Sequence, residues 1–336
     1  MSTDSIPLVS IVIKTLNEAA NIARTIQSVR ASIGEIPAEI IVADSYSTDD
    51  TVQIALAEGA KVFRLKSKLD RSCGVGAQLG YQYAQGEFIL LLDGDMELIP
   101  GFIEAALDMF RDQYNLAAIG GRMEEMAMDH PIFAARMRRN QNYHTTGDVG
   151  HLDGGGIYRK SALQDIGYFT NINLHSYEES ELGCRLRAKG WRLMRIDVSA
   201  IRHYGHTTPR YQLLIRRLKF GYTFGPGEYL RASIGNPWFS VAIRTIKAYL
   251  VMLAAWFALT VSLLALPWSS LPLQTVLAGF LVMFLLLIVK RNNFSDGVFT
   301  FVSWSVFALS ALIGFFRRQR CPTAWIDSCQ IVDRVN

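Results

Sequence analysis

FILLLDGDM, residues 88–96, is a run of five apolar residues that ends in two aspartates separated by one glycine. So short a run, closed by turn-forming residues, reads as a buried strand. Asp93 and Asp95 then stand at its carboxyl end, two apart, a spacing that shares a face on a strand. Two carboxylates that close repel one another unless a cation or a proton lies between them. An oxygen-only pair suits Mg2+ or Mn2+ sharing phosphate oxygens with a substrate. A solvated turn is the plainer account of such a pair taken alone, so its surroundings decide.

Working outward, LVSIVIKTLNE (8–18) is a second short apolar run ending in turn-formers, and Ile22, Ile26, Val29 and Ile33 then mark a helix. EIIVADS (39–45) reads as a strand, DDTVQIALAEG (49–59) as a helix, KVFRL (61–65) as a strand and GAQLGYQYAQG (76–86) as a helix. Strands alternating with helices predict an α/β fold with a parallel sheet and crossover helices. Ligands of such sheets bind at the carboxyl ends of the strands. That rule places Asn17, Glu18, Asp44, Asp93 and Asp95 along one rim. Capping accounts for Ser47 to Asp50, but not for Asp44.

HSYEESELGCRLRAKGW (175–191) puts three glutamates ahead of a helical stripe. Ser176 and Glu179 have capping-box spacing, and Glu181 and Arg185 are i,i+4 partners expected on the helix surface. A helix N-terminus beside Glu179 is expected to favour its ionised form.

The net charge of +4 gives no case for nucleic acid, and the four scattered cysteines suggest neither zinc nor a disulfide framework. The N-terminal segment lacks a basic region and a long apolar run, so the first domain is expected in the cytosol. Ala248–Leu266, Leu271–Val289 and Val298–Phe316 are each long enough to span a bilayer. Arg244, Lys247, Lys290, Arg291, Arg317, Arg318 and Arg320 flank them, and three full spans from the cytosol would leave the Arg317 cluster outside, against the positive-inside rule. Two spans are expected, with a third membrane-embedded segment of open topology. The expected organisation is a catalytic domain over 1–210, interfacial amphipathic helices over 211–247, a transmembrane region over 248–320 and a tail over 321–336.

SIVIKTLNEAANIARTIQSV, VADSYSTDDTV, AQGEFILLLDGDM, GGGIYRKSALQDIGYF and YEESELGCRLRAKGW occur in the order and approximate spacing of the inverting family 2 glycosyltransferases. The chain resembles their nucleotide-sugar (GT-A) fold over residues 8 to about 208, and its apolar C-terminal part resembles the membrane-anchored branch. The resemblance implies that Thr15, Asn17 and Glu18 line a nucleotide pocket and that Asp44 holds the base. It also implies that Asp93 and Asp95 form the DxD motif that holds Mg2+ or Mn2+, with Asp95 ranked ahead of Asp93 as direct ligand. Gly154, Gly155 and Gly156 would belong to an acceptor-side loop. Glu178 and Glu179 match the family's acidic pair, whose second member acts as base, and His203 would approach the metal or diphosphate, with His206 as its rival.

The chain departs from that pattern in four places. Glu179 replaces the usual Asp. Tyr46 replaces a common Gly, so that turn need not use a left-handed residue. GAQLG lacks the usual Arg, for which Arg71 is a substitute. Gln212 to Arg216 does not match the Gln-x-x-Arg-Trp of processive synthases, which favours single addition.

The implied activity is transfer of a sugar, with inversion, from a nucleotide-sugar donor such as a UDP-sugar to a hydroxyl or phosphate of a lipid-linked or other glycan acceptor. Its setting would be polysaccharide or glycolipid synthesis at the cell membrane, with a homo-oligomer or polysaccharide-assembly complex left open. A non-catalytic, transferase-like subunit scaffolding an export complex is the alternative.

Overall fold

The computed structural model describes residues 7–126, 145–205 and 208–332, which divide into two compact units: Met1–Thr208 with Gln319–Asn336, and Pro209–Arg318. In the first unit, β1 (Val9–Thr15), α1 (Ile22–Ile33), β2 (Ala38–Asp44), α2 (Thr51–Ala57), β3 (Lys61–Leu65), α3 (Cys73–Tyr83) and β4 (Phe88–Asp93) follow one another as the alternation predicts. They are followed by β5 (Met96–Leu98), α4 (Phe102–Asp112), β6 (Leu116–Glu125), β7 (Gly147–Asp148), β8 (Gly156–Arg159), α5 (Lys160–Asp165), α6 (Glu178–Ala188) and β9 (Arg192–His203). The second unit holds α7 (Arg210–Lys219), α8 (Gly225–Ser233), α9 (Phe239–Leu264), α10 (Leu271–Arg291) and α11 (Phe294–Phe316); β10 (Ser328–Ile331) belongs to the first.

The strands form one mixed sheet in the order β10-β3-β2-β1-β4-β8-β6-β9-β5, with β7 beside β9. β3, β2, β1 and β4 are mutually parallel. Their apolar runs are near-continuous because both faces are covered. Along β1, Ile11 and Ile13 join the core under α1, α2 and α4, whereas Val12 joins the core under α3, α5 and α6. That is the period-two alternation of a strand between two helical layers.

Residues 321–332 are not a free tail. Ser328↔Leu65 to Ile331↔Val62 pair β10 antiparallel to β3, and Ile326 is buried in the core beneath α3. Trp325 meets the Tyr83 ring edge-on at 5.7 Å, and Lys66 pairs with Asp327 at 2.9 Å. The segment covers an edge strand that would otherwise offer unpaired backbone groups to other chains.

In the second unit, α9, α10 and α11 are each long and apolar enough to cross a membrane. The first begins at Phe239, not Ala248, so Arg244 and Lys247 lie within it rather than in a separate linker. Two short helices, α7 and α8, lie within the expected interfacial stretch. α7 buries Leu213 and Leu214 and ends in Arg216, Arg217 and Lys219.

Ile326→Ala should cost about 2–5 kcal/mol, the usual range for truncating a buried aliphatic residue. Urea denaturation of the full chain in detergent, followed by tryptophan fluorescence, would read this as a lower midpoint.

Candidate active site

Parallel register builds the rim. β1 and β2 pair Thr15 with Asp44, and β1 and β4 pair Lys14 with Asp93, so three strand ends finish side by side. Asn17 joins the first two loops: its N–H donates to Ser47 Oγ at 2.9 Å and its Oδ1 accepts from the Thr48 N–H at 2.8 Å. Glu18 donates its N–H to Thr51 Oγ1 at 2.8 Å, and its carboxylate accepts from Asn21 at 3.0 Å. Asp44 is fully buried; it accepts from the Ser47 N–H at 3.0 Å and faces Arg64 Nε at 3.4 Å, with Thr15 Oγ1 also 3.4 Å away. Arg71 donates to the carbonyls of Ser45 and Tyr46, so it braces the turn after β2.

That turn does use a left-handed residue, although the sequence did not require one, because Tyr46 has φ 67°. Arg64 lies 4.5 Å over the Tyr46 ring while Arg71 holds its carbonyl, and these contacts support a conformation that disfavours a Cβ. Asn17 (φ 60°) and Tyr177 (φ 69°) share it, so three of the four described non-glycine residues with positive φ flank this rim. Backbone held in sparsely populated regions concentrates at working sites.

The two aspartates take different partners, because the chain turns at Gly94 between them. Asp93 pairs with Lys14 Nζ at 2.9 Å, whereas Asp95 Oδ2 lies 3.5 Å from His203 Nε2. β9 lies between β5 and β6, with His203 opposite both Met96 and Glu125. Glu125 therefore meets the other ring nitrogen, Nδ1, at 2.9 Å. Burial opposes a charge on His203, but Asp95 and Glu125 outweigh it and push its pKa up to about 9. His206 lies outside the described residues.

Lys14 is the cation of the opposite wall. It lies 2.9 Å from Asp93 and 3.8 Å from Glu178. Burial works against its charge, yet Asp93, Glu178 and Glu179 raise its pKa well above the ordinary lysine value. Glu178 is itself pushed upward by burial, which the nearby Lys14 opposes.

The Ser176 capping box does not form: α6 begins after Tyr177, with no side-chain cap bond. Glu179 instead turns to the glycine loop, where both its oxygens accept from the Gly154 N–H at 3.0 Å. Gly154 and Gly155 have φ of 63° and 62°. A Cβ on Gly155 would lie 1.5 Å from Ile201, so glycine is required there on both counts. Gly156 opens β8 and pairs with Leu91 and Gly120 on its two sides. Burial, reinforced by Glu178 and Asp153 and opposed by Lys14, raises the Glu179 pKa to about 8. The expected ionising effect of the helix N-terminus is thus outweighed.

Glu181 and Arg185 do pair, at 2.8 Å, but in the interior rather than on the surface. Arg185 also donates to the carbonyls of Tyr168 and Phe169 and stacks 3.7 Å over the Tyr168 ring. The pair anchors the helix that presents Glu178 and Glu179.

Sequence reasoning missed Lys14, Glu125 and Asp153. Asp153 precedes the glycines, accepts from His151 at 3.1 Å and faces Arg195 at 3.6 Å, beside an open cleft lined by Thr145, Asp148, Gly150 and His151. A lysine closing an otherwise apolar strand was a legible sign of Lys14. Nothing local marked the other two.

Residues 10–167 match the family model described as Glycosyl transferase family 2. The chain carries a family 2 glycosyltransferase domain. It is 26% identical over 224 residues to the succinoglycan biosynthesis protein ExoA of Rhizobium meliloti, covering 61% of this chain and 66% of that one. It is 31% identical over 119 residues to the undecaprenyl-phosphate 4-deoxy-4-formamido-L-arabinose transferase of Aeromonas hydrophila, covering 32% and 36%. In both cases the match spans less than two thirds of the relative's own length.

A mannosyltransferase of Pyrobaculum calidifontis, solved with GDP-Man and Mn2+, superposes with a TM-score of 0.54 at 15% identity, over 93% of this chain and 88% of that one. S. aureus TarS 1-349, solved with UDP-GlcNAc, superposes at 0.50 with 17% identity, over 92% and 93%. These likenesses agree with a GT-A fold for the glycosyltransferase domain.

Arg185→Met should destabilise the domain by about 3–5 kcal/mol, because it leaves Glu181 buried without its cation. Adding Glu181→Gln should recover part of that loss, a double-mutant comparison read by chemical denaturation.

Proposed function

We propose that this transferase moves a sugar from a nucleotide-sugar donor to a hydroxyl or phosphate of a lipid-linked acceptor, with inversion at the anomeric carbon. The observation that carries this reading is the juxtaposition at one rim of a base-type carboxylate, Glu179, with the Asp93–Lys14 and Asp95–His203 pairs. Glu179 would take the acceptor proton as the acceptor oxygen bonds to the anomeric carbon, while the bond to the diphosphate breaks and its electron pair leaves with the nucleotide. A base whose pKa lies near 8 is well placed for that task, since efficient general bases titrate close to the working pH. Asn17 and Asp44, held between the first two strand ends, would position the nucleotide, with Thr15 and Glu18 beside them. Gly154 would hold Glu179 toward the acceptor, with Gly155 and Gly156 shaping that loop. Arg71 would act through the Tyr46 turn.

Among the described residues no three His, Cys, Asp or Glu side chains form a ready-made cation cage. Asp95 would nevertheless supply an oxygen donor and His203, once a cation displaces its Nε2 proton, a nitrogen donor on the same wall, with Glu125 orienting the ring from behind. Such a half-built set fits Mg2+ or Mn2+, which commonly completes its shell with phosphate oxygens and water. Bound there, the cation would offset charge on the departing diphosphate. The Pyrobaculum enzyme's Mn2+ supports this assignment.

The relatives' names, succinoglycan biosynthesis and an undecaprenyl-phosphate transferase, support a role in polysaccharide or glycolipid synthesis on a lipid carrier. The three apolar helices support a multi-pass protein of the cell membrane with its transferase domain in the cytoplasm. The GDP-Man and UDP-GlcNAc of the two structural neighbours support a nucleotide-activated hexose as donor.

Turnover of a panel of UDP- and GDP-sugars on polyprenyl-phosphate acceptors tests the reaction. Glu179→Gln should cut transfer by about 10²–10⁴-fold with donor binding retained; if Glu178→Gln does so instead, the base is Glu178. Asp95→Asn should abolish stimulation by Mg2+ or Mn2+, and unchanged activity would sink the cation assignment.

Wild-type transfer should rise with pH around a midpoint near 8 and level off above it, because Glu179 accepts a proton only when ionised. Lys14→Met removes the charge favouring that form, so the rising limb should move to higher pH. Each unit of displacement lowers the rate at pH 7 by about tenfold.

A further inference from the structure

The second unit contains three helices of spanning length. We infer that only α9 and α10 cross the bilayer, and that α11 lies along the leaflet through which the chain enters. This rests on the membrane reading above and assigns the surface of α11 to lipid at the headgroup–acyl boundary rather than to a third crossing.

Both ends of α11 are tied to the short charged helices that precede the spans. In its first turn Asp296 pairs with Arg210 Nη1 at 2.6 Å, and Ser295 Oγ accepts from the same guanidinium. At its last turn the carbonyls of Phe315 and Arg317 accept from Arg231 at 3.0 and 2.6 Å, and Arg317 faces Glu228 at 3.7 Å. Between these points Tyr211 meets Phe299 edge to face at 5.2 Å. Gly227 and Gly314 bring the backbones together, since a Cβ on either would lie 1.8 or 2.1 Å from a carbonyl oxygen of the facing segment.

The segment from Arg210 to Arg231 is thus bound to both ends of a 23-residue helix, about 34 Å long at 1.5 Å per residue. A spanning α11 would draw that segment across the bilayer with it, carrying Arg210, Arg216, Arg217, Lys219, Glu228 and Arg231. Charges at the bilayer centre are costly, whereas at the interface they reach water and anionic headgroups. Flat placement satisfies every one of them and leaves exposed Leu309, Leu312, Ile313 and Phe316 to acyl chains.

Chain connectivity requires the same result. The chain leaves the first unit at Thr208 and rejoins it at Gln319, where Arg320 pairs with Asp70 at 2.7 Å. The intervening helices must therefore cross an even number of times. α9 and α10, of 26 and 21 residues, reach about 39 and 32 Å, enough for a core of about 30 Å. No charge occurs from Ala248 to Val289, and the turn between the two helices exposes Trp268. Arg244, Lys247, Lys290, Arg291, Arg317, Arg318 and Arg320 all then lie on the entry side, which removes the conflict with the positive-inside rule.

Labelling of single cysteines with a membrane-impermeant maleimide, in intact and in permeabilised cells, tests this. Native Cys321 reports the end of α11, Phe294→Cys and Phe316→Cys its two termini, Ser269→Cys the turn between the spans, and Tyr114→Cys, at an 80% exposed position, the transferase domain. Solubilised protein serves as the reactivity control, and Cys321 requires no new side chain. The expected result is labelling of Ser269→Cys alone in intact cells and of all five after permeabilisation. Labelling of Cys321 and Phe316→Cys together with Ser269→Cys in intact cells would overturn the proposal in favour of three crossings. If Ser269→Cys is protected together with Tyr114→Cys in intact cells, and both label in inverted vesicles, neither span exists and the membrane reading itself falls.

Discussion

Like charge crowded at the ends of parallel strands is the constraint on which this site depends. Asp44, Asp93 and Asp95 each meet a different cation: Arg64 at 3.4 Å, Lys14 at 2.9 Å and His203 at 3.5 Å. Lys14 matters most, because it also faces Glu178 from the interior of the rim. Without such partners, acids this close to an apolar sheet would hold protons instead of charge. Among the described residues, Glu179 has the Gly154 N–H and the more distant Lys14 to favour its anion, and its pKa rises to about 8. The gradient from fully paired to nearly unpaired acids is what separates electrostatic support from proton transfer.

The parallel core was legible because its signals are local. Apolar runs closed by turn residues predicted β1 to β4 and their crossover helices, and the strand-end rule predicted the rim. The placement of Asn17, Asp44 and Asp93 followed from that pattern. Glu125 did not, because it meets His203 only through the pairing of β6 with β9, 78 residues apart. Asp153 depends in the same way on a loop whose neighbours come from β9.

Where local rules misled, tertiary contacts had overridden them. Ser176 and Glu179 have capping-box spacing, yet the Gly154 amide competes successfully for the Glu179 carboxylate. Tyr46 adopts a left-handed conformation because two arginines hold its ring and carbonyl. Glu181 and Arg185 fit an exposed helix pair by spacing but are enclosed under Tyr168 and Phe169. Each concerns which partner a group finds, and spacing along one segment cannot report a partner from another.

By itself the sequence determined the α/β alternation, the acidic rim and the three apolar segments, since each follows from residue order within about twenty positions. Only the tertiary structure decided which cation faces which acid, which amide holds Glu179, and that residues 328–331 close the sheet beside β3. It also showed both ends of the last apolar helix tied to Arg210 and Arg231. The physical reason is the same in all these cases. Hydrophobic periodicity is written along the chain, whereas electrostatic pairing and strand register depend on groups that meet only after distant segments have packed.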